Sequence, residues 1–405
     1  MADDTRAAIP WRAVIALSLT VMMAFGVILY GFSIFVTEDA AGSDFSKTLL
    51  SVAYGGSVVA GGLLAIPLGL RADRAGVRGI LALGGLLAGI GMAIFAASSQ
   101  PWHVLVAWWF LIGPAGAMTF YEVAFVAVDQ WCLPRDRPRV LGALTLIGGL
   151  AGIVFIPLTE WTVDLAGWRT AALLMGLLVM ITALSTAGWA LGDVPRPQPA
   201  AAASWGRGQF ALLRRDRRFL IHTAAMVLTF FAAQGIIAHR IALFDENGFD
   251  VGTVALWAAV ASALSLPGRW IAPIIATRFR PADVQAVATL VLAGGTALML
   301  DGRTSWQMIG HFALFGLVFG AVLPLRAMTM ADWFSGPKYG ATMGSQWMVT
   351  TIVGATGPAV VGLLRDNTAS YQAAVVVLLA ALVLGAALLA AATRTAAPAG
   401  TSAPI

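Results

Sequence analysis

The sequence predicts an all-α membrane protein of twelve transmembrane helices, arranged as two related six-helix bundles. Three observations carry this reading: runs of roughly 20 apolar residues recur twelve times, nearly all the charge lies between them, and the two halves of the chain repeat one another. As a helix, a run of that length crosses the ~30 Å hydrocarbon core of a bilayer. Lipid offers a bare amide no hydrogen bond, so each crossing must satisfy its own backbone as a helix. Twelve crossings leave almost no residues for a soluble domain.

The spans fall at about 11–37, 46–68, 79–98, 102–128, 140–160, 168–191, 219–243, 251–276, 284–300, 304–331, 339–363 and 370–393. The first stretch, Trp11 to Val36, is too long for a signal-peptide core and has no small-residue cleavage site after it. It is expected to stay as an anchor, with the ten residues before it as a short cytoplasmic leader. Composition agrees: 59% of residues are hydrophobic, 11% are charged and 44 are glycine, where a soluble domain would have about 25% charged residues and packed membrane helices favour small side chains. The single cysteine, Cys132, excludes intrachain disulfides, zinc ribbons and iron–sulfur ligation. No cofactor is implied.

A net charge of +5 invites a nucleic-acid partner, but the placement of the bases argues otherwise. Arg71, Arg74, Arg78, Arg135, Arg137, Arg139 and the cluster Arg214, Arg215, Arg217 and Arg218 all lie on the side of the N-terminal tail. Lys47, Arg169, Arg303 and Arg365 fall on the other side. That asymmetry is the positive-inside signature, and it places both termini in the cytoplasm of a multi-pass protein of the cytoplasmic (inner) membrane.

Hydrophobicity stops between spans six and seven. The segment with Pro195, Pro197 and Pro199, an Ala-rich stretch and the Arg cluster reads as a linker over 193–218, between a bundle at 1–192 and another at 219–395, with a tail at 396–405. At an offset of 202 to 204 residues Gly31 pairs with Gly235, Trp131 with Trp333, Gly142 with Gly344, Gly152 with Gly354 and Asp164 with Asp366. Two similar bundles around a site near the midplane can expose it to each side in turn. Alternating-access transport follows as the leading expectation.

The loop after span two reads GLRADRAGVR, Gly69 to Arg78, and is similar to the loop motif of the major facilitator superfamily: Gly69, then Asp73 and Arg74, then Gly76 and the base Arg78. Within that superfamily YGFSIF (Tyr30 to Phe35), GWR (Gly167 to Arg169), LPGRW (Leu266 to Trp270) and ADWF (Ala331 to Phe334) resemble the monocarboxylate and oxalate/formate transporter branch. The resemblance covers essentially the whole chain. It implies the twelve-helix major facilitator fold and a small organic anion, moved with protons or by exchange. The chain departs from the pattern at two places. Thr277 stands where the repeat would put a counterpart of Asp73, and no Lys or Arg lies within 339–363, where oxalate-type transporters carry a lysine. Loss of a second cation favours a monocarboxylate.

Ionisable side chains at the bilayer centre cost ~2.5 to 3.5 kcal/mol, so each needs a reason. Arg269 lies well inside span eight with no opposite charge within a turn on its own helix; its planar fork matches a carboxylate, and the resemblance places a substrate-binding arginine there, after a glycine like Gly268. A permanent inter-helix pair, with Glu122 for example, is the structural alternative. Glu122 in span four can carry a proton if its pKa is raised, or be neutralised by an arginine. Its neighbour Tyr121 offers a phenol, and Tyr30 and His239 complete the substrate-binding candidates. Arg240 is expected to snorkel to the acidic loop of Asp245, Glu246 and Asp250, Arg326 to act as a snorkelling or gating charge, and His222 to be interfacial. Asp73 can cap a helix N-terminus or meet a neighbouring arginine, and so latch one access state. Gly148, Gly149, Gly152 and Pro157, like Gly354, Gly357 and Pro358, read as close helix approaches followed by a kink. Trp11, Trp102, Trp168 and Trp306 read as interfacial anchors.

The competing functions are an exporter of lipophilic compounds on the same scaffold and a membrane enzyme. The second lacks any HExxH, CxxC or GxSxG pattern, and no P-loop is present for direct use of ATP. The expected partners are therefore an anion, protons and the bilayer, with the chain a monomer.

Overall fold

A computed structural model describes residues 9–36, 41, 44–191, 215–336 and 339–394. Most of the leader, residues 193–214 of the linker and the tail at 396–405 lie outside the described residues. Among the described residues, ten helices are long and apolar enough to cross a bilayer. In chain order they are α1 (Trp11–Phe35), α2 (Leu49–Ala75), α3 (Arg78–Ala96), α4 (Pro101–Trp131), one stretch of 54 residues (Arg137–Ala190), α7 (Arg217–Glu246), α8 (Gly252–Ile275), α10 (Ser305–Phe334), α11 (Tyr339–Thr368) and α12 (Gln372–Ala392).

The long stretch, at 1.5 Å per residue, would measure about 80 Å, more than twice the hydrocarbon core. It breaks at Gly167, whose φ of +77° and ψ of 159° are not helical. Glycine reaches that conformation without a Cβ clash, and the break divides the stretch into two crossings, α5 and α6. One shorter helix, α9 (Pro281–Ala297), has 17 residues and spans about 26 Å. With it the crossings among the described residues number twelve.

Local chemistry sets the ends. Ser46 accepts a hydrogen bond from the Leu49 amide before α2, Asp216 from Arg218 and Phe219 before α7, and Asp250 from Thr253 before α8; each satisfies amides that a helix start leaves without partners. Gly76, at φ +70°, closes α2.

The chain forms two compact units. The first comprises Met1–Ala203 with Met330–Met348, the second Ser204–Thr329 with Val349–Ile405. The end of α10 and the start of α11 thus pack with the first unit, although they follow the linker in sequence. In the first unit the core is aromatic, with Phe35, Phe95, Trp108 and Phe155 buried; in the second, Phe244, Phe312 and Phe315 play that part. Lipid is as apolar as leucine, so helices associate by close packing rather than by expelling water. In the first unit Gly85 and Gly89 of α3 meet Met180 of α6, and Gly176 of α6 meets Met92 of α3. In the second, Gly268 of α8 lies on the Leu317 carbonyl of α10, while Gly316 and Gly320 of α10 lie on the backbone of Ala261 and Ser265.

Several crossings depart from regular helix, α1, α4 and α11 among them. α1 widens into a π-helical turn at Phe25–Tyr30, and α4 does so at Ala107–Ile112 before turning extended at Phe120 (ψ −175°) and restarting at Tyr121. α11 is interrupted between Gly354 and Gly357.

Candidate functional site

In the first unit the break in α4 places Tyr121 and Glu122 in the opening turn of a new helical segment. Tyr121 is buried and Glu122 half-buried. The Tyr121 hydroxyl donates to the Thr145 carbonyl of α5 at 3.4 Å, over Gly148, where a side chain would collide with it. One turn on, Gly152 lies beneath the ring of Tyr30, which projects from the π-helical turn of α1. The glycines of α5, read from sequence as close helix approaches, are beds for two phenols. Tyr30 and Tyr121 are thereby held on one face of α5.

The loop motif sits at the end of this unit that carries the start of α11. Gly69 is buried against the Gly340 backbone, which a Cβ would strike. That contact brings Asp73 onto the helix start: Oδ1 accepts from the Gly340 amide at 2.7 Å and Oδ2 from the Ala341 amide at 2.9 Å. A carboxylate there takes two amides that lack intrahelical partners and faces the positive end of the helix dipole. The helix capped is α11, more than 260 residues away in sequence, and not α3, which starts at Arg78 without a side-chain cap. Arg74 and Arg78 are exposed. Beside Asp73, Gln130 of α4 donates to the Ala72 carbonyl at 2.9 Å, and Arg137 pairs with Asp129 at 2.8 Å. Sequence reading missed both, although opposite charges eight residues apart across the α4–α5 turn were a signal.

At the other end of the unit Asp44 gathers two side chains. Its carboxylate accepts from the Trp168 indole at 3.1 Å and from Arg169 at 2.6 Å, and Arg169 also donates to the Ser98 carbonyl. The Arg169 guanidinium holds the Asp44 carboxyl below its usual range. Trp168, expected at the interface, is 6% exposed and engaged in this knot.

In the second unit Arg269 is half-buried in α8. Pro267 and Pro273 bracket it; each removes a helix hydrogen bond, and Pro273 takes the one that the Arg269 carbonyl would accept. Gly268, pressed on α10, fixes the rotation of α8 at this point. His239 of α7 is half-buried, with Nε2 donating to the Pro358 carbonyl at 3.0 Å and Nδ1 3.4 Å from the Tyr371 hydroxyl. Both contacts come from around the second arm of α11, and burial pushes the Tyr371 phenol up.

Three expectations are corrected in this unit. Arg240 does not reach the acidic loop: its guanidinium lies 5.1 Å and 5.3 Å from the rings of Phe312 and Phe315, and Glu246 of that loop bonds Arg365 at 2.9 Å. Cation–ring contact thus replaces the snorkelling predicted. His222 is not interfacial but fully buried, donating to the Gln285 side-chain Oε1 at 3.0 Å, which also accepts from Thr329. Arg326 is likewise fully buried rather than snorkelling. Partners on α9 and α10 supplied what the local pattern could not announce. His311, also buried, donates from Nδ1 to the Gly295 carbonyl.

A chain whose crossings are apolar helices, with breaks and ionisable groups inside them, is a polytopic membrane protein built to handle a solute. Comparison with known proteins makes this specific. The family model of the Major Facilitator Superfamily matches residues 14–302, and the chain belongs to that family. It is a transporter, not an enzyme. It is 26% identical over 385 residues to monocarboxylate transporter 13 of Rattus norvegicus, covering 91% of this chain and 85% of that protein. To the multidrug resistance protein MdtL of Klebsiella pneumoniae it is 27% identical over 274 residues, covering 65% of this chain and 67% of that one. Among solved structures, the E. coli fucose:proton symporter superimposes with a TM-score of 0.75 at 14% identity, over 96% of this chain and 100% of that one, a likeness of fold.

Proposed function

We propose that the protein carries a small organic anion with one carboxylate across the cytoplasmic membrane by alternating access, coupled to protons or working by exchange. In this reading both termini are cytoplasmic, the working unit is a monomer, and six-helix halves at 1–192 and 219–395 are the moving parts. The observation that carries it is Arg269, a permanently charged group kept half-buried in an apolar helix at a cost of ~2.5 to 3.5 kcal/mol. Its fork can hold a carboxylate by donating two parallel hydrogen bonds to it. Tyr30, Tyr121 and His239 are the polar groups assigned to the substrate, and Glu122 the proton carrier. Asp73, with Gly69, Arg74, Gly76 and Arg78, forms the latch: if the cap on α11 exists in one access state, it biases the equilibrium toward that state. Similarity to a protein named as a monocarboxylate transporter supports the substrate class.

Arg269→Lys keeps the charge and removes the fork. Membrane insertion is expected to be unchanged and uptake of labelled monocarboxylates into proteoliposomes to fall tenfold or more; near-normal uptake ends the assignment. The similarity to MdtL favours one other reading, export of lipophilic compounds. Under it, Arg269→Ala leaves drug efflux intact and no monocarboxylate is moved.

A further inference from the structure

The irregular turns of α1 and α4 meet at the same rings. Phe25, which opens the π-helical turn of α1, lies 4.1 Å from Phe120, the residue at which α4 breaks, and 4.9 Å from Tyr121. Further along α1, Phe32 stacks on Tyr54 of α2 at 4.5 Å and 19°, and meets edge-on, at 5.0 Å, Trp108 in the π-helical turn of α4. Widened turns and breaks disturb backbone hydrogen bonding, which a crossing tolerates where protein encloses it or a site needs it. By the burial of their apolar windows, α1 and α4 are the most enclosed of the ten long crossings.

The patch is not uniformly packed. Trp108 is fully buried and Tyr121 nearly so, while Phe25, Phe32, Tyr54 and Phe120 remain half-buried. Three of the five tyrosines, Tyr30, Tyr54 and Tyr121, belong to it, and glycines of α5 lie beneath two of them. Phenylalanine would fill an inert core as well without a hydroxyl to desolvate. Half-buried rings, with phenols set among them, suit a flat apolar body that bears polar substituents.

We propose that this patch recognises the body of the substrate, so that the preferred cargo is a monocarboxylate bearing an aromatic ring rather than an acid of two to four carbons. The inference rests on the anion reading above and adds the class of anion. An offset or edge-on ring contact strengthens binding roughly two- to tenfold beyond simple burial, and the patch supplies several.

Pyruvate and phenylpyruvate carry the same charged head and differ by one ring, so they separate the two claims. Their apparent affinities are read from the concentration dependence of thermal stabilisation of the detergent-purified full chain. Phenylpyruvate is expected to bind at least tenfold tighter than pyruvate. Phe32→Leu is expected to shrink that ratio at least threefold with pyruvate affinity unchanged, whereas Arg269→Lys weakens both acids alike. The ligand-free melting temperature of each variant verifies its folding, and if Phe32→Leu proves unstable, Phe25→Leu, which removes another half-buried ring of the patch, is expected to shrink the ratio likewise. Equal affinity for the two acids, or a preference untouched by Phe32→Leu, overturns the ring inference and leaves the anion reading standing. Stabilisation by neither acid overturns both.

Discussion

At the scale of single residues, burial decides chemistry more than identity does. Cys132 stands just past the end of α4, is 7% exposed, and has its thiol pushed up to about 11, chiefly by burial, with Asp136 and Asp129 adding to it. Thiolate is the reactive form, so at pH 8 about one thiol in a thousand is reactive. Maleimide labelling of the native protein is expected to run roughly a hundredfold slower than that of a free cysteine and to quicken about tenfold per pH unit up to that pKa; rapid labelling at pH 7 contradicts the burial. The same rule separates the histidines. His222 and His239 have the same side chain on the same helix, yet one is sealed against Gln285 and the other stands half-open beside Pro358 and Tyr371. Nothing in their flanking residues distinguishes them, because the partners lie 63 and 119 residues away.

At the scale of elements, the working parts are helix ends and helix breaks. The start of α11 is held by Asp73, and replacing a capping carboxylate by alanine costs ~0.5 to 2 kcal/mol. In Asp73→Ala, hydrogen exchange at the amides of Gly340 and Ala341 is expected to rise about tenfold and transport to fall; Asp73→Asn, which keeps an acceptor, should lie between. Exchange rates unchanged in both variants would show that the cap does not hold the helix. The motif residues Gly69, Asp73 and Gly76 were legible in sequence as a group, and Gly76 explains itself through its positive φ. The object they grip was not legible, because backbone amides carry no sequence signature. The breaks were partly legible: Gly167 could be placed between two crossings by length, whereas the π-helical turns of α1 and α4 leave no mark in an unbroken apolar run.

At the scale of the whole molecule, a carrier coupled to protons needs a group that changes charge during the cycle, and Glu122 is the group we propose for it. Glu122→Gln removes the charge and keeps the shape. Uptake driven by an imposed pH gradient is expected to be lost while substrate exchange between loaded and external pools continues. If proton-driven uptake persists at the normal rate, the proton is carried elsewhere. The two compact units raise a related point about assembly: Met330–Met348 packs with the first unit although it follows the linker. Hydropathy marks each crossing but not its neighbours, so the sequence reading divided the chain at the linker alone.

By itself the sequence determined the membrane class, the twelve crossings and the superfamily. Those follow from constraints met locally: a bilayer of fixed thickness demands a fixed run of apolar residues, and the loop motif is contiguous. Tertiary structure alone decided that Arg240 lies over aromatic rings, that Trp168 and Arg169 converge on Asp44, that Arg326 and His222 are sealed, and that two glycines of α5 cradle phenols. Each of those outcomes depends on a side chain or carbonyl from another helix, and one helix's periodicity gives the face that turns inward but not what waits there.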